Sequence, residues 1–255
     1  DIYVNDAFSC SHRSHASISQ ITKFLPSYSG LQMEVEMTAL RKITSEIKKP
    51  ITCIIGGSKI STKIDVIKNL ISKFDNIIIV GGMANNVIKH MGYEIGKSLH
   101  EDNAEKIIEE IFSLSKKGKC NIFFPQDVVV ANDKNGVPFQ KEIGKISSEE
   151  MILDIGEKTI KMIEGIITES KTVFWNGPAG FFENKNFANG SIKIAKKIVD
   201  NSKAKKIYSV AGGGDTVSLL NSLNFVNDFD FVSTAGGAFL EYLEGKQLPG
   251  ITALK

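Results

Sequence analysis

Hydrophobic and polar residues form two kinds of stretch along this chain. Short runs rich in β-branched residues, each ending near Gly or Pro, recur six times and predict buried strands. These runs are residues 51–57, 76–82, 121–126, 172–178, 206–213 and 229–237. Stretches with apolar residues at helical spacing lie between them, so strand and helix alternate. The pattern predicts an α/β fold with a doubly wound, mostly parallel, six-stranded, Rossmann-like sheet.

Two of the helical stretches carry the start signal of a capping box, which is a polar residue followed three positions later by glutamate. Asp102 and Glu105 precede one stretch, and Asp154 and Glu157 precede the other. We expect a helix to begin at each box.

Two segments depart from the simple alternation. Residues 33–47 carry apolar side chains on one helical face and are followed by Pro50, so they predict a long amphipathic helix that ends before the proline. This helix either joins an opening segment to the sheet domain or is an ordinary surface helix of a single domain. Residues 128–139 lack helical spacing and contain the turn signal Asn135-Gly136, which predicts a β-hairpin.

Composition narrows the class of protein. The chain has 255 residues, 42% of them hydrophobic, which is enough for a substantial core in one domain or in one domain plus part of another. Its 31 basic and 29 acidic residues are interspersed and give a net charge of +2, so charge provides no argument for a nucleic-acid or membrane partner.

The expected location is the cytoplasm. The three cysteines form no CxxC motif and are read as reduced, mostly buried thiols. No apolar run approaches the roughly 20 residues of a membrane span, and no signal peptide opens the chain. The chain starts with Asp directly in a strand-like pattern, so we expect that it lacks its natural beginning.

Glycine-rich turns suggest an anion site. AGGGDT (211–216) and TAGGAFLEYL (234–243) each follow a predicted strand and open a helical pattern. A helix start offers unpaired N–H groups and a partial positive charge, and glycine lets an anion approach them. Asp215 is then a candidate magnesium ligand and Thr216 a donor to phosphate oxygen. The alternative is that Asp215 is only a helix cap and that the glycines serve tight packing.

Two lysines follow the first predicted strand. Lys59 and Lys63 stand four positions apart in GGSKISTK (56–63), a spacing that predicts two ammonium groups on one face at the start of a helix. A solvated helix face is the ordinary role of such a pair. The preceding strand and glycines favour an anion-binding role instead.

Three other kinds of binding site are not supported by the sequence. GYEIGKS (92–98) has three residues between its glycines, whereas a Walker loop needs four, and we assign it to a loop after a helix. No GxGxxG fingerprint of dinucleotide binding is present, which disfavours an oxidoreductase. CSHRSH (10–15) contains three possible metal ligands, but the spacing matches no closed zinc pattern.

The glycine and lysine motifs, taken in order, resemble the phosphoglycerate kinase family. The matching stretches span almost the whole chain and are YVNDAF and HRSH within 3–15, GGSKISTK (56–63), GGMA (81–84), WNGPAGFFE (175–183), GGGDT (212–216) and STAGGAFLEYLEGKQLPGITAL (233–254). Only WNGP and the last stretch are distinctive individually.

The resemblance implies reversible phosphoryl transfer from 1,3-bisphosphoglycerate to MgADP, which gives 3-phosphoglycerate and MgATP, in a typically monomeric enzyme with a hinge between two lobes. It implies roles for twelve residues. The implied nucleotide ligands are Lys63, Gly82, Asn176, Glu183, Gly213, Gly214, Asp215 and Thr216, with Asp215 also on Mg²⁺; the implied catalytic groups are Lys59, Gly214 and Gly237; the implied substrate ligands are His12 and Arg13.

The resemblance also divides the chain. Residues 1–30 correspond to the end of the N-terminal, phosphoglycerate-binding lobe, 31–49 to the interdomain helix, 50–240 to the nucleotide-binding lobe, and 241–255 to a segment that returns toward the N-terminal lobe. We therefore expect these residues alone to bind nucleotide with little or no activity. A nucleotide-binding module without catalysis is the alternative.

This sequence departs from the family pattern at three places. Val80 and Ala235 stand where the family often has glycine, and Thr62 stands where aspartate is common. The first two changes put the local backbone approach in doubt, and the third puts in doubt an indirect metal role of that position.

Overall fold

The computed structural model describes residues 1–254 and shows a mixed α/β fold. Its strands are β1 (Tyr3–Asn5), β2 (Ser27–Ser29), β3 (Ile51–Ile55), β4 (Asn76–Ile79), β5 (Asn121–Phe123), β6 (Asp127–Ala131), β7 (Phe139–Glu142), β8 (Met151–Ile155), β9 (Thr172–Asn176), β10 (Tyr208–Gly212) and β11 (Phe231–Ser233). Its α-helices are α1 (Leu31–Thr44), α2 (Ile64–Ile71), α3 (Gly82–His90), α4 (Glu105–Gly118), α5 (Glu157–Glu169), α6 (Asn189–Lys203), α7 (Gly214–Ser222), α8 (Gly237–Leu243) and α9 (Pro249–Thr252).

Six strands form the central sheet, and all six were predicted. Their order is β11-β10-β9-β3-β4-β5, and every neighbouring pair is parallel. The chain builds outward from β3 in one direction through β4 and β5, and in the other through β9, β10 and β11. The order reverses between β3 and β9, and this is where an open α/β sheet provides a crevice at its carboxyl edge. The predicted fold class is confirmed.

The sheet is covered on both faces because its strands are apolar on both sides. Successive residues of β3 divide between two cores: Cys53 and Ile55 pack with α1, α2, α4 and α8, whereas Ile54 packs with α5, α6 and α7. All five residues of β3 and all five of β9 are buried. No helix within residues 1–254 has both the length and the hydropathy to cross a membrane.

A second, antiparallel sheet stands against the carboxyl edge of the first. Its order is β7-β6-β8, with β6 central and a β-bulge between Val129 and Val130 in its pairing to β8. The hairpin predicted within 128–139 is therefore present as β6 and β7. The third strand, β8, carries the sequence that was read as a helix start.

A helix follows each predicted capping box, but neither Asp caps it, for different reasons. Asn103 adopts a φ of 62°, so the chain turns after Asp102 and α4 begins only at Glu105. Asp154 is a strand residue, and α5 instead begins after Gly156. Asp127 of β6 accepts the N–H groups of Lys158 and Thr159 at 3.0 and 2.8 Å, so α5 is capped by a carboxylate distant in sequence.

Helix α1 ends earlier than predicted. It stops at Thr44 rather than continuing to Ile47: Ser45 leaves helical geometry at φ −130°, and the N–H groups of Ser45 and Glu46 both donate to Arg41 O. Pro50 therefore lies beyond the helix end and does not cause it.

The two ends of the chain lie together. The N–H of Gly250 in α9 donates to Ser11 O at 2.8 Å, and Asn5 Nδ2 donates to Gly250 O at 3.2 Å. Helix α1 connects the N-terminal segment to the central sheet. The Met33 N–H donates to Asp6, while the Met33 side chain lies in the core that covers the sheet.

Candidate functional site

Two helix starts lie side by side at the carboxyl edge of the central sheet. Helix α7 follows β10 through Gly213 at φ 94°, and α8 follows β11 through Gly236 at φ 55°. Such φ values favour glycine. Since β10 and β11 are parallel neighbours, both helices start at the same edge. The first three N–H groups of each helix have no acceptor within residues 1–254. Such groups attract anions.

Open space faces these helix starts. A Cβ placed on Gly214 or on Gly236 would meet no atom within 4 Å, whereas one placed on Gly213 would lie 2.9 Å from Asn176 Nδ2. Gly214 and Gly237 are exposed. The N-terminal glycines of both helices therefore border free volume that an anion could enter.

His12 and Arg13 lie beside the start of α8. A Cβ on Gly237 would lie 3.4 Å from His12 Nε2, and Arg13 Nε donates to the same nitrogen at 3.3 Å. His12 Nδ1 is buried without a partner, and Arg13 is exposed. The structure thus brings both sequence-predicted substrate residues to the predicted catalytic glycine, across more than 220 residues of chain.

Lys63 and Asn176 form a polar pair beneath the glycine turns. Lys63 Nζ donates to Gly56 O at 2.6 Å and to the side-chain oxygen of Asn176, whose Nδ2 donates to Gly212 O at 2.9 Å. Burial lowers the pKa of Lys63 to about 8, although Cys53 and Asp215 oppose the shift. The ammonium group is therefore poised to gain from an added negative charge.

Lys59 and Lys63 do not share a helix face. Helix α2 begins at Ile64, so both lysines precede it, and Lys59 is exposed while Lys63 is partly buried. The predicted helix start was wrong: a turn, in which the Lys63 N–H donates to Ile60 O at 3.1 Å, stands there instead. Lys59 lies near Glu101. Burial acts to raise the pKa of the Glu101 carboxyl, but hydrogen bonds from Ser61 and the Lys59 charge outweigh it and lower the pKa.

Asp215 and Thr216 differ in what they expose. The Thr216 side chain is fully buried and its hydroxyl accepts the N–H of Gly177 at 2.7 Å, so only its backbone N–H faces the helix start. Asp215 is exposed, lines the cleft described below and has no hydrogen-bond or ion-pair partner within residues 1–254. One free carboxylate beside anion-accepting N–H groups fits Mg²⁺, which binds one or two carboxylates together with substrate phosphates.

A cleft of about 370 Å³ opens next to these groups. Its walls come from the loop after α3, from the β6–β8 sheet and from the segment after β9, with apolar side chains from Leu99, Val128, Phe181 and Phe182. Gly82, Glu183 and Asp215 also line it. We call this volume the apolar cleft, and we call the starts of α7 and α8 with Lys63 and Asn176 the glycine edge.

The predicted residues divide between the two regions. Lys63, Asn176, Gly213, Gly214, Thr216 and Gly237 belong to the glycine edge, with His12 and Arg13 beside it, and Gly82 and Glu183 belong to the apolar cleft. Asp215 lies where the two regions meet. Lys59 stands apart, exposed at the preceding turn.

Sequence reasoning missed most of the apolar wall. Leu99 follows the stretch that was set aside as a false Walker loop, and that stretch does lie in a loop after α3. Asp154, read as a helix cap, also lines the cleft. The available signal was the excursion at 128–139, because a strand insertion at the carboxyl edge of a parallel sheet stands where ligands bind.

These features define a class: a doubly wound α/β protein with an anion-accepting edge and an adjacent apolar cleft at its topological switch point. The family model described as phosphoglycerate kinase matches residues 1–246. The chain belongs to the phosphoglycerate kinase family.

Curated relatives and solved structures agree with this assignment. The phosphoglycerate kinase of Novosphingobium aromaticivorans is 43% identical over 258 residues, and that of Zymomonas mobilis is 44% identical over 257; each match covers 100% of this chain and 65% of the relative. The structure of phosphoglycerate kinase from Coxiella burnetii superposes with a TM-score of 0.95 at 36% identity, covering 100% of this chain and 65% of that one. The Pyrococcus horikoshii enzyme gives 0.81 at 26%, covering 99% and 64%. The chain thus spans about 65% of the length of the curated relatives that it matches.

Proposed function

We propose that this chain carries the nucleotide-binding lobe of a phosphoglycerate kinase, which transfers a phosphoryl group between 1,3-bisphosphoglycerate and MgADP and thereby serves glycolysis. One observation carries the proposal: the starts of α7 and α8 present free N–H groups at one edge, directly beside a cleft with apolar walls. A magnesium nucleotide has the matching shape, with charged phosphates at one end and an apolar base at the other.

At the glycine edge, the proposed task of the protein is to position and neutralise phosphate oxygens. Phosphoryl transfer needs little covalent chemistry from the protein, so N–H groups and ammonium groups suffice. The N–H groups of Gly213, Gly214 and Thr216 would bind nucleotide phosphates together with Lys63. Those of Gly214 and Gly237, with Lys59, would stabilise the transferring group.

Lys63 would exchange one of its protein acceptors for phosphate. Its ammonium group has three donors, and acceptors for all three are present at Gly56 O and at the two oxygens of Asn176. Asn176 would then be free to turn its side chain toward the ligand, which gives it a place in the nucleotide site. Lys59 is exposed, and its flexible side chain would approach the transferring group from the solvent side.

Asp215 would hold Mg²⁺ between its carboxylate and the phosphates. The metal supplies neutralisation of charge on the phosphate oxygens when it is bound. The chain itself supplies the carboxylate. Asp215 is the second residue of α7 and so lies in the same first turn as the free N–H groups.

In the apolar cleft, the base would lie between the start of α3 at Gly82 and the aromatic residues Phe181 and Phe182. Glu183 is exposed at the rim and would accept hydrogen bonds from the ribose hydroxyls. The nucleotide would then lie with its phosphates toward α7, and the position of Asp215 where the two regions meet supports this orientation.

We also propose the division into residues 1–30, 31–49, 50–240 and 241–255. Strands β1 and β2 form only a two-stranded parallel sheet, and large apolar side chains around it are exposed, including Phe24 at 82% and Leu31 at 85%. A pair of parallel strands is not stable alone, so this sheet is best explained as part of a larger one. The remaining third of the family fold, which the chain does not span, would cover it.

This division implies what the 255 residues do by themselves. They would bind nucleotide but turn it over slowly or not at all, because His12 and Arg13 supply only part of a phosphoglycerate site. The whole enzyme would act as a monomer in the cytoplasm, as the family resemblance suggests.

Isothermal titration calorimetry with MgADP tests the nucleotide site. We expect saturable binding of one nucleotide, and folded protein that binds none would overturn the proposal. Adding a separately produced N-terminal third of a curated relative, and then measuring ATP formation from 1,3-bisphosphoglycerate, tests catalysis. Nucleotide binding without any turnover in the reconstituted enzyme would favour a non-catalytic nucleotide-binding module.

A further inference from the structure

Asp154 is a buried carboxylate behind the apolar cleft. It is 2% exposed, lies on β8 and lines the cleft. Its oxygens accept the N–H of Gly190, in the first turn of α6, at 2.8 Å and the N–H of Ile155 at 2.9 Å. No cation pairs with it within residues 1–254.

Two other segments approach this carboxylate more closely than any side chain would allow. A Cβ on Gly180 would lie 2.5 Å from Asp154 Oδ1, and one on Gly190 would lie 2.4 Å from the same oxygen. Real Cβ atoms do not come this close to an oxygen. Both glycines are therefore required by the packing around Asp154, which joins β8, the start of α6 and the segment after β9.

The segment after β9, residues 177–183, forms one wall of the cleft. It is tied to α6 where the Ala179 N–H donates to Ser191 Oγ at 2.8 Å, and to β8 where the Phe181 N–H donates to Leu153 O at 2.7 Å. Ser191 adjoins Gly190. A shift of the α6 start would therefore be transmitted to the wall that carries Phe181 and Glu183.

We propose that Asp154 is a positioning residue for the nucleotide: its ionised carboxylate holds Gly190 and thereby fixes residues 177–183 in the form that grips the base and ribose, and its protonation loosens that wall. This inference rests on the proposed function. The carboxylate does not touch the ligand; it acts through the two segments that pack on it.

The charge state of Asp154 changes close to neutral pH. Burial raises the pKa of its carboxyl to about 7, and the N–H groups of Gly190 and Ile155 only partly oppose the shift. Protonation removes the negative charge and makes both oxygens weaker acceptors, so the hydrogen bonds from Gly190 and Ile155 weaken. The charged groups on the surrounding elements are Asp127 on β6, Glu157 and Lys158 at the start of α5, Lys193 on α6, Glu183 on the wall, and Lys97 and Lys134 at the cleft. None of them contributes to the shift.

Stability and binding should respond to pH in opposite directions. The folded pKa lies above the value of 3.8 for an unperturbed Asp, so the folded chain holds an extra proton between these values and loses stability as pH rises toward 7. The ionised form that grips the nucleotide is thus the less stable one. A purely structural residue would make affinity and stability fall together.

The test uses Asp154→Asn, with Asp127→Asn as its matched control. Asp127 is also a buried carboxylate of the antiparallel sheet, but it caps α5 and does not line the cleft. We expect protonation of Asp154 to raise the dissociation constant of MgADP up to about tenfold in the wild type between pH 8 and pH 6, given a pKa near 7, with the titration of Lys63 opposing this rise near pH 8. Asp154→Asn should bind weakly with this component of the pH dependence removed, and Asp127→Asn should lose stability but keep the wild-type profile.

The amide resonance of Gly190 gives an independent readout in the nucleotide-free wild type. It should titrate with a midpoint near pH 7, and this measurement does not require either variant to fold. A Gly190 resonance that does not titrate, or an MgADP affinity with the same pH profile in wild type and Asp154→Asn, would overturn the inference alone. Absence of MgADP binding at every pH would overturn the proposed function, and this inference with it.

Discussion

The glycine edge and the apolar cleft are built in contrasting ways. The glycine edge uses main-chain N–H groups at the starts of α7 and α8, supported by the buried pair Lys63 and Asn176. The apolar cleft uses side chains from several separate segments. Charge recognition depends on few groups, each with a large effect, whereas apolar contacts spread their contribution over many atoms. Substitutions in the two regions should therefore differ in how much they weaken binding and in which ligands they affect.

The largest expected effect is that of Lys63→Met. Removing a charge-assisted contact to phosphate should weaken MgADP about 100-fold, equivalent to about 2.7 kcal/mol. Magnesium pyrophosphate, which lacks base and ribose, should lose as much, because it uses only the glycine edge. Titration calorimetry measures both ligands.

Lys106→Met controls for loss of a positive charge, since Lys106 is exposed on α4, away from the glycine edge and the cleft. It should leave both affinities unchanged. Equal affinity of Lys63→Met and wild type for pyrophosphate would remove Lys63 from the phosphate site.

The next effect is that of Gly214→Ala. The added methyl group meets no protein atom, so the fold should tolerate it, but it would occupy the space in front of the free N–H groups. We expect about tenfold weaker MgADP binding, at about 1.4 kcal/mol, with an unchanged or higher melting temperature.

Gly165→Ala is the matched control for that substitution. Gly165 lies within α5, and its added methyl group also meets no protein atom. This variant should gain about 0.5–1 kcal/mol of stability and bind MgADP as the wild type does. If Gly214→Ala binds equally well, the volume in front of α7 is not the phosphate site.

A smaller and ligand-selective effect is expected for Leu99→Ala. Leu99 is 57% exposed, so truncation should cost the fold little, while the loss of apolar contact with the base should weaken MgADP about fivefold, or about 1 kcal/mol. Pyrophosphate affinity should not change. A parallel loss for both ligands would contradict the division of the site into two regions.

The smallest effect concerns the proton on Lys63. Because its pKa is lowered to about 8, part of the nucleotide-free protein lacks this proton at pH 8, and phosphate binding should restore it. In Asp154→Asn, where the opposing contribution of the Asp154 carboxylate is absent, MgADP affinity should therefore fall about fourfold between pH 7 and 8.5. Calorimetry at pH 8 in buffers of different ionisation enthalpy should show proton uptake, which Lys63→Met abolishes.

The same lowered pKa has a consequence for folding. An unfolded lysine keeps its proton up to about pH 10.5, so the folded chain holds fewer protons between pH 8 and 10.5, and the contribution of Lys63 to stability improves as pH rises through this window. Chemical denaturation at pH 7 and pH 9.5, compared with Lys63→Met, measures this contribution.

Local signals in the sequence were reliable where one segment determines its own structure. The six strands and the glycine-led helix starts at 213 and 236 follow from runs of neighbouring residues and from backbone conformations that favour glycine. The capping signals failed because a helix start accepts a carboxylate from any distance. Asp127 caps α5 from 30 residues away, and Asp154 bonds the start of α6 rather than that of α5.

The sequence by itself therefore determined the α/β alternation, the parallel sheet and the glycines that leave helix N–H groups free, since all of these depend on short-range sterics and periodicity. Only the tertiary structure decided that His12 meets Gly237, that Lys63 turns inward to Asn176, and that Leu99 and Phe181 wall one cleft. Such contacts join segments far apart in the chain. They depend on the order of strands in the sheet, which no local pattern encodes.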